Sequence, residues 1–234
     1  MQTESDVEII HSTPEQAMEE VSMEQEYTDS LIPCFPGVYT SVRLQKEKFS
    51  SLQQKLIFME KLCSVASLFY GVEYPTERIK KAEKKLLWNT FHDILAGTAT
   101  EKGMQDAISD LEYGISEAND IIANTHLKLA MQLKPSSEGA MPICVFNPHP
   151  YAMKTVVEGE LILPKIYFDK KVCKLTVMDV NGKVVSSQTI KESSNFNVHW
   201  QKRIAFECEL APFAIEKYDV HFEFVEEEQF FEPL

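Results

Sequence analysis

From Val42 onward, apolar residues recur at steps near three and four. Val42, Phe49, Leu52, Leu56, Met59, Cys63 and Ala66 form one stripe along a helix, which Gly71 and Pro75 stop. A second helix is predicted to follow Thr76 as N-cap, with Ile79, Ala82, Leu86 and Leu87 inward and Gly97 at its end. Thr98 and Glu101 have the capping-box spacing that opens a third helix. In it, Met104, Ile108, Leu111, Ile115, Ala118, Ile122, Thr125 and Leu129 alternate steps of four and three. Such a near-heptad stripe suits packing against two antiparallel neighbours. The third helix would run roughly 35 residues, about 50 Å at the standard rise. Three helices with short joins predict a three-helix bundle.

Pro135 to Gly139 read as a linker, and beyond it the period becomes two. Ile143 to Phe146 is a strand stopped by Asn147-Pro148 and Pro150, and Val156, Glu158, Glu160 and Ile162 belong to a second. Leu175–Val180, Asn181-Gly182 and Val184–Gln188 read as a hairpin closed by a two-residue type I′ turn. Arg203–Leu210 and Tyr218–Val225 supply two more strands. The expected class is α+β, a three-helix bundle followed by an antiparallel β-sandwich. The boundaries fall at 31–135 for the bundle, 136–141 for the linker and 142–234 for the sandwich. Residues before about Leu31 are acidic and weakly patterned, with one short helix around Pro14–Glu20; Glu226 to Pro233 is an acidic tail.

Charge narrows the set of partners. A net charge of −13 opposes binding to a phosphate backbone or an anionic membrane surface, so neither nucleic acid nor membrane is expected. No apolar run approaches the ~20 residues of a membrane span, and the N-terminus (Glu4, Asp6, Glu8) lacks the character of a signal peptide. The five cysteines (Cys34, Cys63, Cys144, Cys173, Cys208) are odd in number and never spaced C-x-x-C. They read as reduced thiols of a cytoplasmic protein.

One stretch carries candidate chemistry. Trp88-Asn89-Thr90-Phe91-His92-Asp93-Ile94-Leu95-Ala96-Gly97-Thr98 sets a histidine beside a carboxylate, expected in the last turn of a helix before a glycine stop. Four-residue spacing would put Trp88 and His92 on one face. A plain capping role competes with a functional one, because the dipole favours a charged histidine at a helix C-terminus. His11, His126, His149, His199 and His221 are isolated and read as surface or packing residues. Trp200 and Phe196, near His199, read as core rather than as a sugar platform.

His92-Asp93-Ile94-Leu95-Ala96-Gly97-Thr98 resembles the H-D-I-L-P-G-T segment of glycoside hydrolase family 38 α-mannosidases, with Ala96 in place of the proline. Pro36-Gly37-Val38-Tyr39-Thr40-Ser41 resembles the stretch that opens that family's middle domain, and Val145-Phe146-Asn147-Pro148 the strand that opens its β-domain. Val180 to Val184 and Ala211-Pro212-Phe213 resemble later pieces, so the likeness runs in order from about Leu31 to Tyr218. It implies a zinc-dependent retaining α-mannosidase acting on terminal α-D-mannosyl residues of glycans or mannosides. His92 would be one zinc ligand and Asp93 a substrate contact. The family's H-x-D motif and nucleophilic aspartate lie in an N-terminal barrel, and no histidine here is followed at the second position by aspartate.

The expectation is therefore a piece of such an enzyme, inactive alone and with no catalytic residue of its own, begun at Met1 by fragment or split gene. Residues 1–30 would be the tail of the missing catalytic domain. That domain and a mannose-containing oligosaccharide would be its partners, with a homo-oligomer left open. Two other readings compete: a non-catalytic carbohydrate-binding or scaffold module, and a helical partner-binding protein using the third helix's stripe.

Overall fold

The computed structural model describes residues 10–22, 26–29, 35–164, 172–191 and 200–225. Cys34, Phe196, His199, the acidic residues before Ile10 and the tail after Val225 lie outside them. The chain divides into two compact units, Met1–Tyr39 and Thr40–Leu234. In the first, α1 (Pro14–Glu20) opens on a complete capping box between Thr13 and Gln16, with proline at the start of the helix, and buries nothing. A single 3₁₀ turn spans Pro36–Tyr39.

The second unit begins with four helices: α2 (Arg43–Tyr70), α3 (Thr76–Trp88), α4 (His92–Ala96) and α5 (Glu101–Ala130). The predicted stripe of α2 is its buried face, with Leu52, Leu56, Met59, Cys63 and Ala66 in the core. Gly71 closes α2 in the left-handed region at φ 65°. Ion pairs and contacts fix the helix directions. Lys48 pairs with Glu112, and Cys63 lies 3.6 Å from the Thr125 hydroxyl, so α2 and α5 run parallel. Arg78 pairs with Glu117 and Lys85 with Asp110, so α3 runs against both. A Cβ on Gly114 would stand 2.7 Å from a methyl of buried Leu52, so the glycine permits the close approach of α2 and α5.

Several expected helix details change. The second helix does not run to Gly97: it stops at Trp88, and a separate short helix begins at His92. Asn89 causes the break. Its side-chain amide donates to the Lys85 carbonyl at 2.7 Å, its backbone N–H donates to the Leu86 carbonyl, and the Thr90 N–H donates to the Leu87 carbonyl. Leu87, still within α3, points outward, 65% exposed, rather than inward. Pro75, not Thr76, precedes α3, and no side chain caps that end. Thr100 rather than Thr98 caps α5, accepting from Gly103 N–H, and α5 is 30 residues long.

The strands form two antiparallel sheets. One holds β1 (Met141–Phe146), β7 (Ile215–Val225), β3 (Val172–Met178) and β4 (Val184–Val185), in that order. The other holds β2 (Met153–Ile162), β6 (Gln201–Leu210) and β5 (Ser187–Ile190). Leu161, Val177, Ile204, Phe206 and Val220 fill the space between them, with Trp200 packed against this core. The expected single strand Val184–Gln188 is split at Ser186, where the chain crosses from one sheet to the other. The turn before it is not type I′, which needs positive φ at both central residues. Gly182 has φ 77°, whereas Asn181 is not in that region. Instead the Asp179 carboxylate accepts from the Asn181 and Lys183 N–H groups, both at 2.9 Å, and draws the loop out to three residues.

Helices and sheets share a core: Phe146 of β1 packs with Leu62, Ala66, Val72 and Leu129, and meets Phe58 edge-on at 5.7 Å. The connecting segment is pinned as well. Asp219, 1% exposed, accepts from Ser136 N–H at 3.1 Å and pairs with Lys217 at 3.2 Å. Lys217 also donates to the Lys134 carbonyl and the Ser136 hydroxyl.

Candidate functional site

At one end of the bundle, the chain leaves α3, makes the five-residue turn of α4 and enters α5. Phe91 opens α4 in extended backbone without a polar cap. Gly97 closes it at φ 78°, where a side chain would be strained. It also has no room: a Cβ there would lie 2.7 Å from the Ser41 hydroxyl and 2.9 Å from a Val42 methyl. Ser41 donates to the Ala96 carbonyl at 2.6 Å, and Lys46 donates to the Ser41 carbonyl at 2.5 Å. The last residue of one motif thus fastens the end of another, 55 positions away. The sequence reading quoted Ser41 without assigning it this role, since no local pattern reports a contact at that separation.

His92 is therefore the first residue of α4, not a member of a helix's last turn. The C-terminal dipole argument does not apply to it, and Trp88 and His92 share no helix face because the helix breaks between them. The His92 side chain is 81% exposed and that of Asp93 52%, with His92 Nε2 3.7 Å from Asp93 Oδ2. The Phe91 ring lies 4.4 Å from the imidazole. The other carboxylate oxygen, Oδ1, accepts the Thr98 hydroxyl at 2.9 Å, and the Asp93 carbonyl accepts the Thr98 and Ala99 N–H groups. Asp93 is thus held by its own turn, while the imidazole is left projecting outward.

Among the described residues, the other histidines and cysteines that make contacts have ordinary surroundings. His126 stacks on Phe58 at 6.2 Å with Nδ1 on the Ile122 carbonyl; burial pushes its pKa down, partly offset by that carbonyl. His149 stacks on Tyr151. Burial raises the thiol pKa of Cys63, Cys144, Cys173 and Cys208, and all four are free. Among the described residues, no three His, Cys, Asp or Glu side chains gather where a metal ion could be held. No helix of the described residues is long and apolar enough to cross a membrane.

Residues 34–129, less than half of the chain, match the family model of the alpha mannosidase middle domain. The chain is similar in structure to an alpha-mannosidase from Enterococcus faecalis V583, with 20% identity and a TM-score of 0.61, over 81% of this chain and 24% of that one. It is also similar to a protein in glycosyl hydrolase family 38 from Enterococcus faecalis, with 20% identity and a TM-score of 0.62, over 92% of this chain and 28% of that one. At such identity these likenesses are of fold. Among curated proteins none matches significantly. The helical half thus matches the family model of an alpha-mannosidase middle domain, and the helices followed by antiparallel sheets have a fold similar to that of a family 38 structure. The chain spans about a quarter of the length of the solved relatives it matches.

Proposed function

We propose that this chain is a segment of a zinc-dependent retaining α-mannosidase that hydrolyses terminal α-D-mannosyl residues of glycans or mannosides. His92 supplies one zinc ligand and Asp93 one contact to sugar hydroxyls. The observation that carries this reading is the 81% exposure of the His92 side chain, immediately beside a carboxylate that its own turn holds in place. A histidine that served to fill the core would turn inward. A ligand to a metal shared with another domain has to project, as this one does.

One imidazole and one neighbouring carboxylate fall short of the three or four protein ligands a zinc site needs. They fit the metal only as contributors, the other ligands and the nucleophile coming from a catalytic domain. Bound there, zinc would grip a pair of sugar hydroxyls and polarise them. This chain's share is positional. Thr98 orients the Asp93 carboxylate, and Ser41 with Gly97 holds α4 at the bundle end, so that both side chains face a sugar from a fixed turn.

The test uses the intact enzyme. His92→Ala should lower zinc retention against a chelator and remove nearly all activity. Asp93→Asn should retain zinc and lower kcat/KM by about a hundredfold, the loss of a charged hydrogen bond to substrate. Undiminished zinc retention in His92→Ala would remove the ligand assignment. The chain alone should not turn over an aryl α-mannoside with or without added zinc, and turnover lost on His92→Ala would show that the active site is misplaced.

A further inference from the structure

Among the described residues the two sheets have four edge strands, and three of these are guarded against further pairing. β1 carries Pro142, which has no N–H to offer, and packs on the helices through Phe146. β4 is two residues long and β5 four. β2 is the exception. It runs ten residues without a proline, pairs only with β6 among the described residues, and leaves Val156 61% and Ile162 69% exposed.

The pairing with β6 decides which backbone groups that edge presents. In an antiparallel pair, directly opposed residues alternate between those that exchange N–H···O=C bonds and those that do not. Leu163 N–H donates to the Trp200 carbonyl at 2.7 Å, and this pair continues the register in which Met153 faces Leu210 and Ile162 faces Gln201. Counting back by twos, Leu161, Gly159, Val157, Thr155 and Met153 bond to β6. Lys154, Val156, Glu158, Glu160 and Ile162 therefore aim N–H and C=O away from β6, at the open edge. The far side of β6 agrees: Glu207 N–H donates to the Ser186 carbonyl, so odd-numbered residues of β6 bond toward β5 and even-numbered ones toward β2.

The same five residues bear the exposed side chains of β2, and their charges are self-complementary. Two copies of β2 running antiparallel about a twofold axis at Val157 set Lys154 opposite Glu160 of the second copy, and Val156 opposite Glu158. Both are hydrogen-bonded pairs, so every outward N–H and C=O from Lys154 to Glu160 finds a partner. Moving the axis to Glu158 opposes two identical carboxylates. Moving it to Val156 faces Lys154 with Glu158, which Arg203 already holds. Glu160 makes no ion pair among the described residues, and Lys154 reaches Glu207 and Glu209 only at 3.6 and 3.5 Å. We infer that the open edge of β2 is a docking surface for a second copy of this chain, in the register centred on Val157, joining the three-stranded sheets of two copies into one. This inference rests on neither of the roles proposed for His92 and Asp93.

The test is sedimentation of the 234-residue chain over a concentration series, together with amide hydrogen exchange along β2. The expected result is a monomer–dimer equilibrium in which the N–H groups of Lys154, Val156, Glu158 and Glu160 gain protection as the dimer forms. Those of Thr155, Val157, Gly159 and Leu161, bonded to β6, should be protected throughout. Lys154→Glu and Glu160→Lys should each weaken self-association about tenfold, since each turns two attractive contacts across the axis into repulsive ones. Mixing the two variants should restore dimers of the original affinity, because each then supplies the charge that the other lacks. Mixing could not mend a defect of folding, so the rescue separates docking from stability. A monomer at every concentration, a dimer that leaves those four amides unprotected, undiminished association in both single variants, or variants that mixing does not rescue would each overturn the proposal. Protection of the same amides at every concentration would overturn it too, by showing that another stretch of the same chain covers the edge.

Discussion

Two corners of the molecule are built from the same parts and use them in opposite ways. At the bundle end, Lys46, Ser41 and the Ala96 carbonyl fasten α4; at the helix–sheet junction, Lys217, Ser136 and the Lys134 carbonyl fasten the connecting segment. Each corner contains one aspartate. Asp219 is 1% exposed and commits Oδ2 to the Ser136 N–H and the Lys217 ammonium. Asp93 is half exposed, and its internal bond comes from a surface threonine in the same turn. The first carboxylate is consumed in joining two layers. The second is oriented and left accessible, and that is the difference between a structural acid and one available to a ligand.

Substitution should separate the two most at Asp219. Asp219→Ala strands a lysine and a backbone N–H at a buried joint and should cost about 3 kcal/mol in urea unfolding. A loss under about 0.5 kcal/mol would put Asp219 on the same footing as a surface residue. Next comes Gly97→Ala, which forces a left-handed backbone onto alanine and drives its Cβ toward Ser41 and Val42. About 2 kcal/mol is expected, most of it from the backbone. Smallest is the double change His92→Ala/Asp93→Asn, which should shift stability by no more than about 0.5 kcal/mol. A larger loss would mean that the pair is structural after all.

Acid should sharpen the same contrast. Burial pushes the Asp219 pKa up, but the Ser136 and Lys217 bonds together outweigh it, and the net shift is downward. A carboxyl with a depressed folded pKa contributes stability above its unfolded value, near 4, and loses it as pH falls through the folded one. The urea midpoint should therefore decline below about pH 4, and less steeply in Asp219→Asn. An identical decline in the variant would assign the acid sensitivity to other carboxyls.

Legibility in the sequence followed the range of the interactions. The stripes of α2 and α5 could be read because burial repeats every turn, and the strands because it alternates. The break at Asn89 could not: no glycine or proline marks it, and Ile79, Ala82, Leu86 and Leu87 continue a plausible stripe across to Gly97. What ends α3 is an amide bonding back to Lys85, with Leu87 and Trp88 facing water for reasons that lie outside the helix. The crossing at Ser186 was hidden for a related reason, since sheet membership depends on β6 and β7, far along the chain. His92 and Asp93 were found through the resemblance of their motif rather than by spacing. Ser41, which secures their turn, was legible only as a letter in a different motif.

Phe146 carries one further consequence. Because its ring sits among Leu62, Ala66, Val72 and Leu129, the first strand of the sandwich completes the core of the helices. Neither half has a closed surface of its own, so melting one would expose the other's interior, and the two should lose structure together in a single transition. The segment from Pro135 to Gly139 then acts as a strap across a joint already glued. Severing it would leave two pieces still held together, and the turn bearing His92 would stay fixed to the sheets through the whole length of the bundle.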